Sequence, residues 1–113
     1  MKRRQRLLLS DNLTVLAASL LELAALRYTP AGIPALNFRI AHTSEQIEAG
    51  VKRQVECEMA CVAMGQTAQL LAAARPGDAL RLTGFLSAKS LKSRTPVLHV
   101  NAIEFLEGMN HGI

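Results

Sequence analysis

Leu26-Arg27-Tyr28-Thr29-Pro30-Ala31-Gly32-Ile33-Pro34-Ala35-Leu36-Asn37-Phe38 joins a turn to a strand, and the rest of the chain is read outward from it. Pro30 and Pro34 flank Gly32, so a helix cannot run through this segment and a tight reversal is expected. Beyond it, Leu36, Phe38 and Ile40 alternate with Asn37, Arg39 and Ala41. That period of two gives an extended segment one apolar and one wet face.

The wording of this stretch resembles the single-stranded DNA-binding protein superfamily, whose oligonucleotide-binding (OB) fold carries an Arg-Tyr-Thr-Pro-x-Gly loop leading into an Ala-Asn-Phe strand. Further matches follow in order: Gln46-x-Glu48-Ala49-Gly50-x-x-Arg53-Gln54, Cys57-x-Met59, Gly84-Phe85-Leu86 and Leu98-His99-x-x-x-Ile103-Glu104. Together they run from about Asn12 to Glu104 and are similar to the PriB family of restart-primosome proteins (primosomal replication protein N). No single motif is diagnostic, but their ordered set is fairly specific. The resemblance implies a homodimer that binds single-stranded DNA and ties the PriA helicase to the next loading factor, DnaT.

Composition sets the bounds. A chain of 113 residues allows one domain with a modest core. Thirteen Lys and Arg against nine Asp and Glu give +4, which suits a polyanionic partner although the excess is mild. Lys2, Arg3, Arg4 and Arg6 account for it, so the basic character is local to one arm. The expected organisation is a basic arm over 1–11, an OB domain over 12–107 and a flexible tail over 108–113. Leu7-Leu8-Leu9 after the arm is cut short by Ser10, Asp11 and Asn12, too early for a signal peptide. No uncharged stretch approaches a membrane span, and a cytoplasmic location is expected.

Residues 13–26 pose a conflict. Leu13, Leu16, Ala17, Leu20 and Ala24 recur at helical spacing among strong helix formers, so the sequence alone reads as helix. The resemblance instead makes this the first strand, with Leu13, Val15 and Ala17 on one face and a bend near Ala18 to Leu21. Relatives have Gly near position 18 and Pro near 24, where this chain has Ala18 and Ala24. The strand reading is adopted, and its excess of apolar residues predicts burial against a second copy.

The second strand is expected over Leu36 to His42, with a polar hairpin loop over Thr43 to Lys52 closing at Gly50. The third covers Arg53 to Met64, with Val55, Cys57, Met59 and Cys61 facing in and Gln54, Glu56 and Glu58 facing out. Gln66 to Ala74 reads as a short helix ended by Pro76-Gly77-Asp78. Leu80 to Ser87 and Pro96 to Leu106 are the fourth and fifth strands. Between them Lys89-Ser90-Leu91-Lys92-Ser93-Arg94 is a basic loop without an acid.

Cys57 and Cys61 on one helix turn would suit a metal, but on a strand their Cα atoms lie about 13 Å apart, so both are read as reduced core thiols. His42, His99 and His111 are scattered and read as strand-end or tail residues. Phosphate-loop, nucleophile-elbow and paired-carboxylate signatures are absent, so neither catalysis nor a cofactor is expected.

Single-strand binding needs cations along the phosphates and flat rings for the bases. With no Trp, one Tyr and three Phe, the chain is poor in rings. Tyr28 is the stacking candidate, with packing of its own loop an equal alternative; Phe38, Phe85 and Phe105 read as core. The cationic candidates are Arg27, Arg39, Lys52 and Arg53, with Lys89, Lys92 and Arg94 on the basic loop, a main ligand-binding element of an OB fold. By the resemblance, Glu56 stands where PriB proteins place a base-stacking Trp, which implies weak DNA binding for the family.

The expectation is therefore an all-β, five-stranded OB barrel with one short helix between the third and fourth strands. It would act as a homodimeric, single-stranded DNA-binding accessory of the replication-restart primosome, bridging DNA and PriA. Two alternatives stay open. One is a protein-docking module whose Glu56 and Glu58 meet a basic partner, and the other is a single-stranded DNA-binding protein without its acidic tail.

Overall fold

The computed structural model describes residues 7–106. Its elements are β1 (Thr14–Leu23), β2 (Arg27–Tyr28), β3 (Pro34–Glu48), β4 (Val51–Met64), α1 (Gln66–Leu71), β5 (Ala79–Ala88) and β6 (Pro96–Phe105). The strands follow the order β1-β5-β6-β4-β3-β2, and an additional β1–β3 pairing closes five of them into a barrel. All pairs are antiparallel except β4 with β6. The two-residue β2 pairs only with β3, outside the barrel. The arm residues 1–6 and the tail residues 108–113 lie outside the described residues.

β1 is a strand, and its apolar residues divide between two faces. Ala18 and Leu20 are buried with Leu16 packed beside them, whereas Val15 and Leu21 are exposed. Helical spacing was thus an accident of two apolar faces superposed. The expected bend is a bulge: pairing with β3 shifts register between Leu20 and Glu22. The turn before β5 pins it there, because the Gly77 amide donates to Leu20 O at 2.8 Å and the Leu20 amide to Asp78 O at 2.9 Å.

The alternation read around Phe38 holds, with Leu36, Phe38 and Ile40 all within 3% exposure. They meet Cys61, Leu80, Leu82 and Leu98 in the barrel core, and Ala68 and Leu71 of α1 cover one end. Each fully buried Leu contributes about 1.5–3 kcal/mol. α1 ends at Leu71, short of the expected Ala74, although Ala74 is itself buried.

Several expectations are corrected. Thr43 to Lys52 is not a polar loop, since β3 and β4 stay paired without a break from Ala35↔Met64 to Glu48↔Val51. Ala49 and Gly50, at φ 53 and 80, make the whole turn. Left-handed backbone there favours Gly. β1 pairs with β3 only as far as Ala41, and β6 with β4 only at Cys61 to Ala63. Residues 42–58 therefore extend past the barrel as a two-stranded ribbon. That explains Cys57, placed in the core by its alternation yet exposed: it faces inward by parity, opposite His42, where there is little barrel left to face. Phe105, at the end of β6, is 44% exposed for the same reason of position rather than parity.

A polar ladder ties the ribbon to β1. Gln46 Nε2 donates to Ser44 Oγ at 2.9 Å, Ser44 Oγ lies 2.8 Å from His42 Nε2, and His42 Nδ1 lies 2.6 Å from Ala17 O. A carbonyl only accepts, so Nδ1 carries the proton.

Candidate nucleic-acid interface

An open groove of roughly 640 Å³ lies where the loops after β1 and β5 converge on the outer face of β3 and β4. In an OB fold these strands and loops form the ligand face. Period two puts Asn37 and Arg39 of β3 on that face, and their register partners Val62 and Ala60 form its floor. Arg27 enters from β2, with Nε and Nη2 donating to Asn37 Oδ1 at 3.1 and 2.7 Å. Lys89 of the β5–β6 loop forms the opposite wall with His99 of β6.

The eight candidates from the sequence separate. Arg27, Arg39 and Lys89 come together in the groove, with one carboxylate, that of Glu22 in register with Arg39, also in the lining. Tyr28 is exposed on the edge strand beside it, opposite Pro34. Lys92 and Arg94 share the loop of Lys89 without lining the groove. Lys52 and Arg53 sit at the far tip of the ribbon. Lys52 pairs in register with Ile47, eight residues beyond Arg39, or about 26 Å at roughly 3.3 Å per residue. Arg53 points to the other face of the ribbon, where its Nη1 is 2.7 Å from Glu48 Oε1.

Carboxylates occupy the stretch between groove and tip. Glu58, Glu56 and Glu45 lie on the same outer face as Arg39, paired in register with Ala41, Thr43 and Gln54. Arg39 Nη2 is 3.6 Å from Glu58 Oε1. An exposed pair at that distance contributes less than about 1 kcal/mol, so a phosphate can compete for the guanidinium. Gln54 Nε2 donates to Glu56 Oε2 at 3.3 Å.

One feature was missed in the sequence. Phe85, read as core, is 39% exposed, and its ring stacks on that of His99 with centroids 5.1 Å apart and planes at 11°. The two are register partners across β5 and β6. The Gly-Phe dipeptide was the available signal. A Cβ on Gly84 would sit 1.9 Å from His99 O, so only glycine lets the strands approach this closely.

Buried Cys61 lies under the groove floor, its thiol pushed up to about 12 by burial, with Arg39 pulling weakly the other way. Among the described residues no three His, Cys, Asp or Glu side chains gather as a metal site. No described helix is long and apolar enough to cross a membrane.

Comparison with known proteins agrees with this geometry. A family model described as "another single-strand binding protein family" matches residues 12–102. The replication restart protein PriB of Bordetella pertussis is 39% identical over 97 residues, covering 86% of this chain and 91% of that protein. PriB of Nitrosomonas europaea is 35% identical over 92 residues, covering 81% and 85%. Among solved structures, PriB from Ralstonia solanacearum superposes with a TM-score of 0.77 at 33% identity, covering 86% of this chain and all of that one. The single-stranded DNA-binding protein of Thermus aquaticus, at TM-score 0.70 and 23% identity over 88% of this chain and 52% of that one, shares the fold. PriB and single-strand binding proteins are not enzymes, and by its sequence, its OB barrel and its coverage of these relatives this chain belongs to the PriB family of replication restart proteins.

Proposed function

We propose that this chain is a single-stranded DNA-binding accessory protein of replication restart, which works as a homodimer and couples DNA to the PriA helicase and DnaT. The observation that carries the reading is the groove. Three cations from three separate segments, Arg27, Arg39 and Lys89, line the ligand face of an OB barrel whose relatives are named as replication restart and single-strand binding proteins. Cations along an open groove attract a phosphate backbone, and the small residues Ala60 and Val62 leave room for bases. Binding is weak for the family because carboxylates take up the outer face of the ribbon. The test is fluorescence anisotropy with a labelled oligo-dT at low salt; saturation at micromolar or tighter concentration is expected, and its absence overturns the reading.

The dimer is supported by β1. Leu13, Val15 and Leu21, on the side of β1 turned away from the barrel core, are exposed at 74%, 56% and 37%. Apolar area of this kind on a small barrel fits burial against a second copy. Sedimentation at tens of micromolar should give a dimer, and a monomer refutes it.

A specific observation favours a second reading. Glu45, Glu56 and Glu58 stand together on the outer face of the ribbon, which supports a reading of that face as a docking surface for a basic protein partner. Under that reading the helicase binds and oligo-dT does not saturate.

A further inference from the structure

The groove has cations, but Tyr28, the stacking candidate of the sequence, stands on the edge strand beside it and not in its lining, which leaves the groove short of rings. Phe85 and His99 answer that shortage. His99 lines the groove, and its register partner on β4 is Val62 of the groove floor. Phe85 lies on its other side, paired with it across β5 and β6 and stacked on it. The two rings are held there by backbone. Gly84 admits the close approach to His99 O, and the β5–β6 register shifts beside it, from Thr83↔Ala102 to Gly84↔Val100. Bulges of this kind re-aim side chains next to binding sites. Phe85 backs the stack on the side toward β1, whose outer face is the one proposed to meet a second copy, while His99 stands at the wall of the cationic groove, a place that core packing does not require of a ring. Core rings such as Phe38 are covered to within 3%.

We infer that the Phe85–His99 stack is a base platform, taking one nucleobase of an unpaired strand against the imidazole while Arg27, Arg39 and Lys89 hold the neighbouring phosphates. The inference rests on the proposed reading of the groove as the DNA site. It also gives the groove a sequence-tolerant contact, because every base presents a π face.

The test separates bases from phosphates. The full chain is titrated by anisotropy with a labelled oligo-dT and with an abasic oligomer of equal length, which keeps every phosphate and lacks every base. His99→Ala and Phe85→Leu should weaken oligo-dT binding about fivefold or more, the low end for one stacked base, and leave the abasic oligomer unchanged. His99→Phe, which keeps a flat ring, should retain the wild-type preference for oligo-dT. Equal loss on both oligomers, no loss on either, or a loss in His99→Phe matching that in His99→Ala overturns the platform while the groove reading stands. If the wild-type chain binds neither oligomer, the groove reading fails and the platform fails with it.

Discussion

Replacing Glu56 by Trp is the sharpest perturbation of the DNA path. Glu56 lies on the outer face of the ribbon in register with Thr43, two residues from Glu58 and four from Ala60 on the groove floor. That places it about 13 Å from the groove at roughly 3.3 Å per residue. Its carboxylate therefore acts on groove phosphates through about 1.3 to 1.6 Debye lengths at ordinary salt, where the length is about 8 to 10 Å, and through less than half of one at 0.01 M, where it is about 30 Å. A ring on that face would add a stacking contact of about 1–3 kcal/mol, which does not depend on salt. Trp substitution should thus strengthen oligo-dT binding roughly tenfold, since about 1.4 kcal/mol corresponds to that factor, at both low and moderate salt. Glu56→Gln should give a smaller gain that fades as salt rises. Anisotropy titrations at two salt concentrations, with sedimentation to confirm a folded dimer, read both effects. An unchanged affinity in the Trp variant means that the strand does not cross the ribbon, and the acidic ribbon is then better explained as a docking surface for a basic protein.

Replacing Lys89, Lys92 and Arg94 together by Ala should flatten the slope of log affinity against log salt by about 2, at roughly 0.7 per phosphate for single strands; Lys89→Ala alone should account for more of it than either other single change, because only Lys89 of the three lines the groove. An unchanged slope in the triple variant moves the contact elsewhere, with deletion of Lys2 to Arg6 as the control. In the native protein a thiol reagent at neutral pH should label exposed Cys57 quickly and buried Cys61 only after unfolding, as mass spectrometry of the labelled peptides will read. Labelling of Cys61 at the rate of Cys57 refutes the placement of β4. The folded state holds the Cys61 proton up to about 12 against a usual 9.0, so above pH 9 the unfolded state binds fewer protons and stability falls with rising pH. The slope from this group reaches up to about 1.4 kcal/mol per pH unit, and denaturant midpoints for wild type and Cys61→Ala should converge between pH 9 and 11. Parallel pH profiles refute it.

What the sequence made legible was what the barrel enforces on itself. Leu36, Phe38 and Ile40 alternate because one side of β3 faces a closed core, and any reader of period two finds them. The same rule misplaced Cys57, because parity reports which side a residue faces but not whether anything lies on that side. Only the point at which β1 and β6 stop pairing, near Ala41 and Cys61, decides that, and pairing between distant segments leaves no local mark. The ribbon was misread for a related reason: Thr43-Ser44-Glu45-Gln46 is polar because both faces of a projecting hairpin are wet, and polar composition looks like a loop. β1 erred in the opposite direction. Its apolar residues on both faces imitate a helix, and the outer set has meaning only if a second surface covers it. Arg27, Arg39 and Lys89 could be named singly but not selected from the eight candidates, since their convergence depends on the β1–β3 closure that brings β2 beside the β5–β6 loop. The Phe85–His99 stack lay further still from the sequence. It requires Gly84, a bulge one residue away and a partner fourteen positions on, and each of these has a plain local explanation until the strands are paired.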